Sequence, residues 1–162
     1  MATITSLLLP AHGNSSRGRA PYQLQKTIDL TAQAIDCSSG DVVQCLTIPA
    51  NTKIIAAGFQ VVESATMNSG TNATAILGTG ADDNEYVAAF DIDGAADGAY
   101  APSVTVSADV VLATADTLDL TFAGDGATFS AGKIRVYAVL ADVSDMGGDG
   151  FNANEVDRDT LA

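Results

Sequence analysis

The stretch that decides the fold is GKIRVYAVLAD, residues 132–142. Its side chains alternate between two faces every second residue, which is the repeat of a β-strand. One face is uniformly apolar and predicts burial in a core. The other face is mostly apolar as well, and it predicts a strand that is covered on both sides or lies at an interface. The uniformly apolar face consists of Ile134, Val136, Ala138 and Leu140, and the other face of Lys133, Arg135, Tyr137 and Val139.

The same short apolar runs recur along the chain and are separated by Gly, Asn and Asp residues that favour turns. Strands are predicted at 24–30, 41–48, 52–63, 71–79, 85–91, 103–107, 109–114, 117–122 and 132–142. We expect Gly58 to mark a bulge or bend in the third of these. Because no segment has the pattern of an amphipathic helix, the sequence predicts an all-β fold, a two-sheet antiparallel β-sandwich or jelly roll.

Composition limits the possible partners. The chain has 162 residues, enough for one domain, and its 7 Lys and Arg against 20 Asp and Glu give a net charge of −13. Nucleic acids and anionic membranes bind proteins through cations, so the charge argues against both partners. Seventeen of the acids are Asp, which favours turns over helices and strands.

Three segments differ in pattern. Residues 1–23 lack any periodicity and are predicted to form an extended N-terminal arm. Residues 24–142 are predicted to form the β-sandwich domain, and residues 143–162, which are acidic and rich in Gly and Asn, a C-terminal tail.

The arm and the tail are the predicted interface segments. An apolar tetrad in the arm is an aggregation hazard in water, so we expect it to lie across a neighbouring molecule; the alternative is that it folds back on its own sandwich. Three of the seven cations follow within ten residues. The predicted interface residues of the arm are Leu7, Leu8, Leu9, Pro10, Arg17, Arg19, Tyr22 and Lys26, and those of the tail are Met146 and Phe151.

Two cysteines, Cys37 and Cys45, lie on either side of Ser39-Gly40, which could form a two-residue hairpin turn. In that hairpin Cys37 would face Val42, so the thiols would not be cross-strand partners. The favoured interpretation is two reduced, half-buried thiols, and a disulfide is the alternative.

Residues with catalytic or metal-binding chemistry are sparse. The single histidine, His12, lies in the arm, where no rigid element would hold it beside a nucleophile. The best metal candidates are Asp91, Asp93 and Asp97, whose spacing starts like a calcium loop but lacks its later ligands. Solvated turn acids are the favoured interpretation. We therefore predict no enzyme activity and no cofactor.

Part of the sequence resembles a known family. The segments DVVQCLTIPANTKII (41–55), NATAILGTG (72–80) and DNEYVAAFD (83–91) look like small virion proteins of tailed bacteriophages, especially marine and cyanobacterial ones. The resemblance spans about fifty residues closely and 24–142 loosely.

The resemblance implies a capsid decoration, or cement, protein. Such a protein would be a jelly-roll module, often a homotrimer, made in the host cytoplasm and seated on the outer surface of the virion capsid. Its partner would be the phage major capsid protein, whose neighbouring subunits the arm would join. The alternative is another virion component, a head fibre, tail or baseplate adhesin that binds a host-surface glycan or receptor through exposed aromatics such as Tyr86, Tyr100 and Phe151. A cellular β-sandwich binding module is the third possibility.

Overall fold

The computed structural model describes residues 21–32, 35–37, 40–101, 111–125 and 128–143, together with the backbone of residues 3 and 4. Every regular element in these ranges is a β-strand, which confirms the predicted all-β class. The strands are β1 (Thr3–Ile4), β2 (Tyr22–Asp29), β3 (Val42–Ile48), β4 (Thr52–Met67), β5 (Ala73–Gly78), β6 (Val87–Asp91), β7 (Val111–Leu112), β8 (Asp116–Gly124) and β9 (Phe129–Asp142).

The strands form two sheets. The five-stranded sheet has the order β1-β3-β8-β5-β6, and the four-stranded sheet has the order β2-β9-β4-β7. Strands β2 and β9, β3 and β8, β4 and β7, and β5 and β6 are antiparallel partners, so β2 to β9 pair like one long hairpin. This hairpin is rolled up where β4 pairs with β9 and β5 pairs with β8. The result is a jelly roll, as the sequence predicted.

The core lies between the two sheets. On β9 the apolar face is fully buried, and its four side chains have 0 % exposure. Phe59 and Val61 of β4 and Leu118 and Leu120 of β8 are equally buried from the two sheets. Burying each such large apolar side chain contributes about 1.5–3 kcal/mol to the stability of the fold.

The opposite face of β9 is only half-buried. The described residues therefore do not cover β9 on both sides, and an interface on this face stays a prediction.

The register of β4 against β9 tests the predicted bulge at Gly58. Register shifts in β4 fall between Ile54 and Ala56 and between Val61 and Glu63, and not at Gly58, so the predicted bulge at Gly58 is wrong.

Ser39 of the hairpin turn considered at Ser39-Gly40 lies outside the described residues, so that turn is not tested. Strands β2 and β3 belong to different sheets, and β2 pairs with β9 instead. A turn closes this connection through a hydrogen bond from the Asp41 amide to the Asp36 carbonyl (3.3 Å). Cys37 and Cys45 are free, which agrees with the favoured interpretation, but both are fully buried and not half-buried.

Several strand boundaries differ from the sequence pattern. Strand β2 starts at Tyr22, two residues before its predicted start, and β4 extends to Met67. The predicted strand at 103–107 lies outside the described residues, and the described part of the predicted strand at 109–114 contains β7 at Val111–Leu112. Strands β2 and β4 are both extended because they pair with the long strand β9. The last residue of β4, Met67, lies opposite Phe129, the first residue of β9.

Candidate functional site

Most of the predicted interface residues lie outside the described ranges. This applies to Leu7, Leu8, Leu9, Pro10, Arg17, Arg19, Met146 and Phe151. Tyr22 and Lys26 are described, and both lie in β2.

The register of β2 sets where Tyr22 and Lys26 point. Tyr22 pairs with Leu140 and Lys26 pairs with Val136, two residues of the buried face of β9. Both side chains are therefore on the side of β2 that faces the other sheet. Burial raises the pKa of Tyr22, with Asp142 adding to the effect, and burial lowers the pKa of Lys26. Among the described residues Lys26 is not part of a surface cluster of cations, and Arg17 and Arg19 lie outside the described ranges.

The outer face of the four-stranded sheet instead brings together polar and aromatic side chains. Outward positions of β2 pair with outward positions of β9, so Gln25 is opposite Tyr137. Gln60 of β4 is opposite Arg135 on the other side of β9. These residues form a shallow, open depression of about 130 Å³ that we call the tyrosine face. Its lining residues are Gln23, Gln25, Gln60, Tyr100, Arg135 and Tyr137.

Backbone pairing fixes Tyr100 in this face. Residues 99–101 run antiparallel to β4, with hydrogen bonds from the Val61 amide to the Ala99 carbonyl (2.8 Å) and from the Ala101 amide to the Phe59 carbonyl (3.0 Å). The Tyr100 side chain is 62 % exposed, while Ala101 beside it is buried in the core. A large aromatic side chain is thus held in solvent by a rigid backbone.

Gly58 makes room for the second tyrosine. Gly58 is the register partner of Tyr137, and a Cβ at this position would lie 2.7 Å from the Tyr137 hydroxyl. The Tyr137 ring therefore lies across Gly58 and reaches Tyr100, with ring centroids 6.3 Å apart and an interplanar angle of 69°. This edge-to-face geometry is one that aromatic pairs prefer.

The two outward cations of β9, Lys133 and Arg135, differ in their partners. Lys133 forms an ion pair with Glu63, whose carboxylate raises the pKa of Lys133. The Arg135 guanidinium has no carboxylate partner among the described residues; its Nη1 lies 3.4 Å from the Gln60 side-chain oxygen. Gln60 in turn donates to the Gly98 carbonyl (3.2 Å). Arg135 is therefore a positioned cation with donors that face outward.

The three candidate metal ligands are used in loop structure. Asp91 accepts a hydrogen bond from the Gly94 amide (2.7 Å), Asp93 from the Ala73 amide (2.6 Å) and Asp97 from the Ser64 amide (2.8 Å). Their backbone partners belong to three different places in the chain. Across the described ranges, no group of three or more His, Cys, Asp or Glu side chains is placed to hold a metal ion.

The candidate aromatics separate into three cases. Tyr100 is exposed as expected, Phe151 lies outside the described residues, and Tyr86 is fully buried. The expectation of an exposed Tyr86 is wrong, because residues 86 and 87 close against Leu77 of β5. Burial raises the pKa of Tyr86, and its hydroxyl has no hydrogen-bond partner among the described residues.

The thiols are not available for surface chemistry. Burial raises the pKa of Cys37 to about 11 and that of Cys45 to about 12. The thiolate is the nucleophilic form, so neither cysteine is reactive near neutral pH.

A buried carboxylate on the five-stranded sheet was missed by sequence reasoning. Asp119 occupies an outward position of β8 between its register partners Gln44 and Gly78, yet it is only 8 % exposed. Burial raises its pKa to about 6, and its Oδ1 has no hydrogen-bond partner in the described structure. The alternating pattern around residue 119 predicts an ordinary solvent-facing position, so no sequence signal marks this one.

Comparison with solved structures shows which proteins have a similar fold. A chain of the capsid of Ralstonia phage GP4 matches with a TM-score of 0.61 and 16 % identity, over 85 % of this chain and 99 % of that chain. A chain of the cyanophage Pam1 capsid asymmetric unit matches with a TM-score of 0.62 and 17 % identity, over 81 % and 91 %. This chain shares its fold with chains of phage capsids.

A third match extends the same likeness. A chain of the acidic stable capsid structure of Helicobacter pylori bacteriophage KHP30 matches with a TM-score of 0.53 and 10 % identity, over 76 % of this chain and 89 % of that chain. No protein-family model matches the sequence, and no curated protein matches it. The part of the chain that the structure describes contains no helix of the length and hydropathy that a membrane crossing requires.

Proposed function

We propose that this protein is a structural component of a phage virion that binds the outside of the capsid and cements neighbouring major capsid subunits. The observation that carries the proposal is the shared fold, which extends over 89–99 % of the length of chains from three phage capsids. The sequence resemblance at 41–91 points to the same class of protein.

The physical mechanism is mass action. A protein that binds the assembled shell and not the separated subunits stabilises the shell by its binding free energy. Contacts with two subunits at once add avidity, which an extended arm can supply. The arm residues proposed for this contact are Leu7 to Pro10, Arg17 and Arg19, with Met146 and Phe151 in the tail. A homotrimer would multiply these contacts, and a net charge of −13 would keep decorated particles apart.

A structural role also suits the chemistry of the described residues. The tyrosine face presents amides, phenols and one guanidinium, and none of these is an activated nucleophile. The two thiols are buried and protonated near neutral pH.

A second candidate function is that of another virion component, a head fibre, tail or baseplate adhesin that binds a host-surface glycan. The exposed, rigidly held Tyr100 beside Arg135 and three glutamines favours it. The two candidates differ in what the rest of the protein contacts, the shell or a stalk.

Binding to bare phage heads tests the proposal. Purified protein is added to heads that lack it, and bound copies per capsomer are counted after sedimentation. We expect saturation at a fixed number of copies. Deleting residues 1–20 should abolish binding, because it removes the proposed arm together with the two-residue edge strand β1, and it keeps β2 to β9. Circular dichroism checks that the shortened chain is folded. Absence of saturable binding by the full chain would refute the cement function and favour the adhesin.

A further inference from the structure

We propose that the tyrosine face is a binding site for a short saccharide that carries one carboxylate, such as a terminal uronic acid. The proposal does not depend on attachment to a capsid. It follows from the shape of the face, from its side chains and from the position of its one cation.

The shape excludes two other modes of binding. A depression of about 130 Å³ is well below the roughly 300–1,000 Å³ of pockets that enclose drug-sized ligands. Strand β9 lies between β2 and β4, so its backbone groups are already paired and cannot take up an added peptide strand. Recognition on this face must therefore use side chains and a small or flat ligand.

The side chains match a sugar. Three glutamines offer both amide donors and carbonyl acceptors, the combination that sugar hydroxyl groups need. Tyr100 and Tyr137 offer ring surfaces on which the C–H face of a pyranose can lie, and each ring also has a hydroxyl. The lining has no aliphatic side chain of the kind that holds the apolar anchors of a protein partner.

The cation selects an acidic sugar. Arg135 lies in the depression without a carboxylate partner among the described residues, in a chain whose net charge is −13. Its guanidinium can donate two parallel hydrogen bonds to a carboxylate. Lys133, two residues earlier on the same strand and face, is already paired with Glu63. One available cation fits one carboxylate, and the net negative charge disfavours a polyanion.

The site is pre-formed, which lowers the cost of binding. The Tyr100 backbone is fixed by pairing with β4, Tyr137 lies against Gly58, and Gln60 is held by the Gly98 carbonyl. Side chains that are already ordered lose less conformational entropy when a ligand binds. An open site of this size is nevertheless expected to bind with a dissociation constant of about 1 mM.

NMR titration of the full chain tests the proposal. The probes are a trisaccharide of uronic acids from alginate and the neutral trisaccharide cellotriose, each titrated to roughly 10 mM. We expect saturable shifts of the ring signals of Tyr100 and Tyr137 and of the Arg135 side-chain signal with the acidic sugar, and at least tenfold weaker binding of the neutral one.

Matched variants separate recognition from general charge attraction. Arg135→Gln is expected to weaken binding of the acidic sugar at least tenfold, and Tyr100→Ala is expected to weaken it similarly. Lys133→Gln removes the same charge from the same strand face outside the depression and is expected to have no effect. Equal losses for Arg135→Gln and Lys133→Gln, or no shifts with either sugar, would overturn the proposal.

A capsid-binding assay distinguishes a saccharide site from a protein-docking surface. If Tyr100→Ala and Arg135→Gln abolish binding to bare heads while neither sugar shifts any signal, the tyrosine face is a protein-docking surface and the saccharide site is wrong. If both variants still bind heads and lose only the sugar, the saccharide site is established apart from the cement function.

Discussion

Outward positions on the two sheets follow the same alternation but differ in exposure at one place, Asp119. On β9 of the four-stranded sheet, the outward residues Lys133, Arg135, Tyr137 and Val139 remain half-exposed. On β8 of the five-stranded sheet, the outward Asp119 is only 8 % exposed. Both strands alternate with a period of 2, so alternation alone tells which residues point outward and not which of them meet solvent.

The difference comes from what lies above each sheet. A loop after β5 folds back over the five-stranded sheet so closely that a Cβ on Gly78 would lie 2.0 Å from the Asp82 carbonyl oxygen. The four-stranded sheet has no such cover above Arg135 and Tyr137 among the described residues. The five-stranded sheet is therefore covered locally, around Gly78 and Asp119, at the cost of burying a carboxylate, while the neighbouring outward residues Thr117 and Thr121 stay half-buried.

The largest expected effect comes from a substitution at Gly78, where the loop after β5 covers the five-stranded sheet. Gly78→Ala would place a methyl group within 2.0–2.6 Å of backbone atoms of Asp82 and Asp83, which cannot move as a flexible side chain can. We expect a loss of about 3 kcal/mol or more in the free energy of unfolding, measured by urea denaturation. Gly80→Ala is the control in the same loop, because its nearest contact is an ordinary 3.4 Å to the Asp116 carboxylate. Similar losses for both variants would contradict the close packing at Gly78.

The buried carboxylate gives the next largest effect, through pH. The pKa of Asp119 is raised from 3.8 to about 6 in the folded protein, chiefly by burial. As pH rises from 4 to 6 the unfolded chain loses this proton first, so the contribution of Asp119 to stability falls over this window. A shift of about two units at 1.36 kcal/mol each corresponds to a loss of about 3 kcal/mol. Urea denaturation at several pH values measures it, and Asp119→Asn should abolish this component.

An exposed aspartate provides the control of opposite sign. Hydrogen bonds from the Thr71 amide, and from the backbone and side chain of Asn72, lower the pKa of Asp125. Its contribution is present above the unfolded pKa and disappears as pH falls through the folded pKa. At neutral pH, Asp125→Asn should therefore lower the free energy of unfolding, whereas Asp119→Asn should raise it. The same sign for both variants would contradict the assignment of Asp119 as a desolvated carboxylate.

A substitution at Gly58 should alter the packing of the tyrosine face with only a small effect on stability. Gly58→Ala would bring a methyl group to 2.7 Å from the Tyr137 hydroxyl, which is the far end of a side chain that can swing away. We expect the free energy of unfolding to change by less than about 1 kcal/mol while the Tyr100–Tyr137 contact is lost. Near-ultraviolet circular dichroism detects this, because the chain contains four Tyr and no Trp. Adding Gly58→Ala to Tyr137→Phe should change the spectrum less than adding Gly58→Ala to the original chain does. An unaltered tyrosine spectrum for Gly58→Ala alone would refute the packing.

The smallest effect is expected at the thiols. Cys37 and Cys45 are free, fully buried and have raised pKa values, so a thiol reagent at pH 7 should label neither of them in the native protein. Both should be labelled in urea. Rapid labelling of the folded protein would show that the connection between β2 and β3 opens readily.

Much of the fold could be predicted from the sequence because strand periodicity is local. The apolar face of β9 and the turn residues between strands were sufficient to identify a two-sheet sandwich. Pairing was not predictable in the same way. Strand β2 pairs with β9 and not with the next strand, β3, because β2 and β3 lie in opposite sheets of a jelly roll, which only long-range pairing decides.

The site was less predictable for the same reason. Tyr100 and Tyr137 are 37 positions apart in the sequence, and only the register of β4 with β9 and with residues 99–101 brings them into contact. Tyr86 and Asp119 have neighbours in sequence that predict exposure, but both are buried. The role of Gly58 was misassigned because a glycine that makes room for a ring and one that forms a bulge look alike in a strand pattern.

The central claim is that this jelly roll stabilises a phage shell, and the melting curve of the shell tests it most directly. Bare heads are heated with and without saturating protein, and release of the packaged DNA is followed by a fluorescent dye. The account predicts a higher melting temperature that scales with the number of bound copies, because a protein that binds the assembled shell in preference to its separated subunits stabilises that shell. An unchanged melting temperature at full occupancy would contradict it.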